Sequence, residues 1–200
     1  RLYAAEQRRA ELFAKLGEFS RDLGASAAEA PVPVCALTLM GQYFPWPFAA
    51  VFRKTGNGFV CSAVRAGGQT ICSAAPIEFG PIPWLNGCVT ERKRVAAAGG
   101  EAACLAEHPE LRGLIPPLHA VLAVPLQAAA WPAGALVIGC AEPVEPGQAD
   151  GEVLEAIAEH IDAAFESAQL EEQRRELARL EERNRLARDL HDSVCQMLFS

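Results

Sequence analysis

From Glu152 to Ser200 the chain contains neither proline nor glycine. These are the residues that oppose a helix most, at about 3 and about 1 kcal/mol relative to alanine. A stretch this long without either, rich in Ala, Leu, Glu and Arg, predicts one very long helix. Asp150 stands where an N-cap is expected, after a Pro/Gly/acidic loop over 142–151. Leu154, Ile157, Ile161, Phe165 and Ala168 then step by three or four, which gives one apolar face to pack on a sheet or a partner. From Glu171 onward charges dominate and only Leu177 and Leu180 continue as a thin seam, with Glu171–Arg175 and Glu181–Arg185 as favourable i,i+4 pairs. So polar a helix cannot rest on its own domain. The expectation is a parallel two-stranded coiled coil, hence a homodimer, with a lone solvated helix as the alternative. Leu186, Leu190, Val194 and Met197 form a second, stronger stripe. Leu180 to Leu186 is not a step of three, four or seven, so the seam changes face near Arg183 and Asn184 or continues through Asn184 and Ala187. Such a mismatch marks a place where two helix registers have similar energy.

Before this helix the hydrophobic period changes several times. Residues 1–18 read as a helix, with Leu2, Ala5, Leu12, Phe13 and Leu16 as its stripe and Gly17 and Gly24 punctuating its end. A second helix starts near Pro33 and stops before Pro45 and Pro47. Residues 49–53 and 59–65 read as strands around the turn at 54–58, and a third strand lies at 70–72 or 76–79. A helix over 83–93 carries Trp84, Leu85, Cys88 and Val89 on one side, and residues 96–118 read as irregular with a short helix at 109–114. Strands at 120–126 and 134–140 form a hairpin around the turn at 131–134. The order is helix, helix, hairpin, helix, hairpin, long helix: an α+β domain with an antiparallel sheet and helices packed on it.

A net charge of −7 argues against general nucleic-acid binding, and no run of 18 apolar residues exists to span a membrane. The chain starts at Arg1 without a signal-peptide pattern. It therefore reads as an internal, cytoplasmic piece of a longer protein, with room for membrane spans upstream. Seven cysteines occur without any CxxC pair. One reading is a reducing compartment with thiols as small buried hydrophobes. The other is that some of Cys35, Cys61, Cys72, Cys88, Cys104 and Cys140 converge on a metal or an iron–sulfur cluster, or sense oxidation.

His191 sits on the long helix one residue past the apolar Leu190. A solvent-facing imidazole is a good phosphoryl acceptor, being neutral and nucleophilic near neutral pH. Asp192 beside it can orient the ring or accept its N–H proton. Gln196, four residues after Asp192, shares that helix face and could position a water. The stretch 182–198, ERNRLARDLHDSVCQML, meets every position of E-R-x-R-[IL]-A-R-[ED]-L-H-D-x-x-x-Q-x-L. It closely resembles the phosphoacceptor helix of sensor histidine kinases of the nitrate/nitrite sensor (NarX/NarQ-like) and DesK class. The resemblance implies that His191 is autophosphorylated, that Asp192 assists phosphotransfer, and that Gln196 serves dephosphorylation of a partner response regulator. It also implies ATP and Mg supplied through a separate domain. No Gly-rich nucleotide loop occurs in this sequence, so the piece is expected to be inactive alone.

The preceding region resembles a GAF domain. The residues that carry this are the 121–126 and 134–139 hairpin, similar to the family's AVPL…GxLxIG, and the loop and helix that follow. The resemblance divides the chain into an incoming helix at 1–25, a GAF-like sensor domain at 26–165, a signalling helix at 150–183 and the start of the dimerisation and phosphotransfer helix at 184–200. Such domains commonly hold a small ligand between sheet and connecting helices. Candidate lining residues are Trp46, Trp84, Cys88, Cys104 and His119. Plain core packing is the competing reading of Trp84 and Cys88, and haem ligation through His108, His119 or His160 has no supporting motif. A ligand-binding GAF module with a dimerisation helix and no phosphotransfer is the alternative to a kinase.

Overall fold

The computed structural model describes residues 2–27, 30–71, 77–140 and 147–198. The elements are α1 (Leu2–Ser26), α2 (Val32–Tyr43), β1 (Phe48–Thr55), β2 (Gly58–Ala66), β3 (Gln69–Ile71), β4 (Ile77–Phe79), α3 (Pro83–Glu91), β5 (Val95–Ala98), α4 (Gly100–Glu107), β6 (Ala120–Leu126), β7 (Gly134–Cys140) and α5 (Gln148–Leu198). The strands form one seven-stranded antiparallel sheet in the order β3-β2-β1-β7-β6-β5, with β4 also paired to β2. Both hairpins expected from the sequence are present, and β1 joins them by pairing with β2 on one side and β7 on the other. The described residues fall into two compact units, one ending at Glu166 and one beginning at Ser167.

The sheet is buried on both faces. Phe48, Ala50 and Phe52 of β1 share one core with Val121 and Ala123 of β6, Trp84, Leu85 and Cys88 of α3, and Ala102 and Leu105 of α4. The alternate residues Ala49, Val51, Leu122, Val124, Leu136 and Ile138 are equally buried, as period-two alternation requires. The apolar stripes available to cover that second face are Leu12, Phe19 and Leu23 of α1, those of α2, and Val153, Leu154, Ile157, Ile161 and Phe165 of α5, all buried. The strands therefore read as near-continuous apolar runs.

Several local expectations change. The first helix runs on to Ser26, through Gly17 and Gly24. Burial of Phe19 and Leu23 outweighs the helix cost of two glycines. α3 ends two residues early, because Arg92 adopts a left-handed φ of 53° and its N–H bonds back to Cys88 O. Residues 96–118 are irregular only in their second part. β5 and α4 occupy their first part, and the predicted helix at 109–114 is a series of turns. The run Val-Ala-Ala-Ala has no period of its own, and its pairing with β6 makes it a strand. α5 begins at Gln148, so Asp150 lies inside the first turn, and its Oδ2 accepts the Gly147 N–H at 3.0 Å. This is the reach-back half of a capping box, not an N-cap.

In the second unit the expected i,i+4 ion pairs give way to i,i+3 pairs, Arg174–Glu171 at 2.7 Å and Arg185–Glu182 at 2.8 Å. On an exposed helix the two spacings are close in energy. No helix among the described residues is long and apolar enough to cross a membrane.

Candidate functional site

His191 lies exposed on α5, and the residues before it are held by local bonds. The Arg185 guanidinium donates to both carboxylate oxygens of Glu182, at 3.0 and 2.8 Å. That carboxylate raises the Arg185 pKa. Arg188 Nε donates to Asn184 O at 3.3 Å, and Ser193 Oγ to Asp189 O at 2.8 Å. The helix backbone continues through Asp192 and Gln196 to Leu198, which keeps those two residues one turn apart. Their side chains, with those of Cys195 and Met197, lie outside the described ones.

Two apolar frames meet at this site. Continuing the steps of three and four from Leu170 gives Gln173, Leu177, Leu180, Asn184, Ala187, His191 and Val194. The frame that Leu177 and Leu180 begin therefore carries His191 itself. Leu186 and Leu190 belong to the second stripe and line a shallow groove with Ala187 and the stems of Arg179 and Arg183. Leu177, Leu180, Leu186 and Leu190 are each about half exposed or more, at 60%, 49%, 50% and 67%. An apolar seam left open in this way is what a second helix covers in a coiled coil.

The sheet domain brings together only part of the expected ligand set. Trp84 Nε1 and Cys104 Sγ both donate to Glu101 O, at 3.2 and 3.0 Å. Cys88 is fully buried in the same core, where burial pushes its thiol up to about 12. Cys104 is raised too, chiefly by burial and against the Trp84 hydrogen bond. These three are core and its margin. His119 is exposed at the start of β6. Trp46 is buried apart from them, stacked on Phe44 with centroids 5.0 Å apart, and Phe44 in turn meets Phe19 of α1. Its indole N–H donates to Asp150 Oδ1 at 3.2 Å. No sequence signal joins Trp46 to Asp150, since both are reached only through the fold.

The described cysteines of the candidate pool sit on several different elements. Cys35 on α2 donates to Ser26 O and Ala30 O, Cys61 on β2 to Ala63 O, and Cys140 ends β7. Cys72 lies outside the described residues. Among the described residues no group of three or more His, Cys, Asp or Glu side chains comes together to hold a metal. The histidines are equally scattered. His108 Nε2 donates to Glu78 O at 3.0 Å with its ring over Phe79, and His160 Nδ1 lies 3.1 Å from Ser20 Oγ.

Residues 182–200 match the histidine kinase family model. A stretch of 48 residues, 24% of this chain, is 52% identical to the sensor histidine kinase YhcY of Bacillus subtilis (strain 168) and spans 13% of that protein's length. Among solved structures the chain is similar to the GAF domain of a phosphoenolpyruvate-protein phosphotransferase from Coxiella burnetii. There the TM-score is 0.53 and the identity 16%, over 80% of this chain and 98% of that one. It is similar also to free methionine-R-sulfoxide reductase from Neisseria meningitidis, with a TM-score of 0.56 and 12% identity over 78% and 90% of the two chains. A third likeness is to the Nlh2 GAF domain of A. aeolicus, with a TM-score of 0.55 and 11% identity over 78% and 98%. The sheet domain thus has the GAF fold, and residues 182–200 of the helix that continues from it are similar in sequence to histidine kinases.

Proposed function

We propose that this chain is the regulatory and signal-transmitting part of a two-component sensor histidine kinase, with His191 as the phosphoacceptor. The observation that carries this is continuity. One helix, Gln148–Leu198, is packed into the GAF-fold domain over its first turns and bears the histidine kinase sequence at its other end. On this reading, a change at the domain is passed toward His191 along one continuous helix. His191 takes the phosphoryl group, Asp192 orients the ring and accepts its N–H proton, and Gln196 positions water for dephosphorylation of the response regulator. ATP and Mg are brought by a separate domain.

The two frames on α5 give the signal something to act on. Where the Leu177–Leu180 frame runs on unbroken in a homodimer, His191 falls in the seam. Where the Leu186–Leu190 stripe takes over, His191 flanks the seam and is open to a phosphoryl donor. The segment works in the cytoplasm, and nitrate and nitrite are the first signals to try, on the resemblance to that sensor class. The test is phosphate incorporation from ATP into the full-length protein. Native protein is labelled and His191→Gln is not. Labelling that survives His191→Gln places the phosphoacceptor elsewhere, and native full-length protein that takes no label is a ligand-binding module with a dimerisation helix.

A further inference from the structure

A cleft of about 680 Å³ opens at one end of the sheet, between the C-terminal end of α2, the start of β1, the β2–β3 turn and residues 113–117. Its lining holds one charged side chain, Arg65. Arg65 Nη2 donates to Gly41 O in the last turn of α2 at 3.4 Å, a long bond that uses one of five guanidinium N–H groups. The carbonyl end of a helix favours a cation there. Among the described residues Arg65 has no carboxylate partner. The seat is shaped for it, because a Cβ at Gly41 would overlap the guanidinium.

The remaining walls are apolar. Phe44 and Trp46 form a stacked pair, and Ile115 and Pro116 are also among the lining residues. Proline contributes no N–H, so these walls offer few donors to a polar ligand. A single half-buried guanidinium facing aromatic and aliphatic walls recognises one anionic group on an apolar body, since its planar fork matches a carboxylate. A polyphosphate would need more cations than this cleft has, and a cationic ligand would need an acid.

We infer that this cleft binds a small carboxylic acid with an apolar, ring-sized body, its carboxylate on Arg65 and its ring against Trp46. The site is also joined to the output, because the wall residue Trp46 donates its indole N–H to Asp150 in the first turn of α5.

Benzoate and its uncharged isostere benzamide test this by calorimetric titration of the native chain, with the Trp46 indole N–H resonance followed in parallel. Benzoate is expected to bind saturably, at least tenfold more tightly than benzamide, and to shift that resonance. Arg65→Gln should weaken benzoate tenfold or more, Arg65→Lys less, and Gly41→Ala should weaken it by displacing the guanidinium. Equal binding of benzoate and benzamide, failure of benzoate to saturate, or unchanged affinity in folded Arg65→Gln would each overturn the assignment.

Discussion

Trp46 and Asp150 are 104 residues apart in sequence and 3.2 Å apart in space, indole nitrogen to carboxylate oxygen. Asp150 is 7% exposed, and its other oxygen takes the Gly147 N–H. One buried carboxylate thus ties the segment before β1 to the first turn of the long helix. Hydrogen bonds to a charged group contribute about 1.5–3 kcal/mol. Asp150→Ala is expected to lower domain stability by about 2–3 kcal/mol in urea unfolding followed by tryptophan fluorescence. Asp150→Asn, which keeps an acceptor, should lose less than half of that. Equal losses would show that packing, and not the hydrogen bond, makes the tie.

Cys88 and Cys104 should differ in reactivity. Cys88 is fully buried and burial raises its thiol to about 12, while Cys104 is at the margin of the core. A thiol raised in the folded state stabilises the fold below its unfolded value and ceases to do so as pH climbs through the folded one. The Cys88 contribution is therefore complete below about 9 and is lost between about 9 and about 12. Thiol labelling of the native chain at pH 8, read by peptide mass, should modify Cys104 well before Cys88.

Asp162 of α5 accepts the Gln127 N–H with both oxygens, at 3.0 and 2.9 Å, yet its carboxyl is raised, chiefly by burial. A carboxyl raised on folding favours the fold when protonated, so its contribution is present at low pH and falls as pH rises through the folded value. Asp162→Asn keeps an acceptor for Gln127 and should cost under about 1 kcal/mol at pH 7, whereas Asp162→Ala should cost about 1–2 kcal/mol. The stability difference between native chain and Asp162→Asn should shift in favour of the native chain on acidification toward pH 4, measured by denaturant midpoint.

Two glycines separate strand constraint from helix tolerance. A Cβ at Gly134 would run into the Phe52 carbonyl on the neighbouring strand, whereas one at Gly151 would meet the mobile end of Arg94. Gly134→Ala is expected to destabilise by about 2 kcal/mol or more, as overpacking against a fixed backbone does. Gly151→Ala should be neutral or slightly stabilising, since alanine is favoured by about 1 kcal/mol in a helix and Arg94 can move aside. Thermal unfolding of both variants decides it.

The exposed seam predicts association. Leu177→Glu with Leu180→Glu should convert a dimer to monomer in sedimentation equilibrium, by placing like charges where two helices meet. Leu186→Glu should weaken the dimer less, because that residue belongs to the second stripe. A native chain that sediments as a monomer would remove the coiled-coil reading.

What the sequence made legible follows from where the forces are local. The long helix, both hairpins and the histidine motif rest on period, turn residues and a contiguous pattern, all of which lie within a few residues of one another. β5 and α4 were hidden because Ala96, Ala97 and Ala98 have no preference until β6 supplies partners. Gly17 and Gly24 read as stops because their cost is visible in sequence, while the burial of Phe19 that overrides it is not. Of the proposed ligand set, Trp84, Cys88 and Cys104 meet because α3 and α4 pack on one face, but Trp46 faces a different neighbourhood and Arg65 carried no signal at all. A lone arginine in a strand looks like any solvent-facing residue until Gly41 is seen beneath it.

Ser20 Oγ and His160 Nδ1 lie 3.1 Å apart, and Arg9 pairs with Glu152 at 2.9 Å. α1 and the first turns of α5 are therefore geared to each other directly, side by side, without the sheet between them. Under the proposed function, a shift of α1 is passed to α5 through these two contacts whether or not the cleft at the sheet's end is filled.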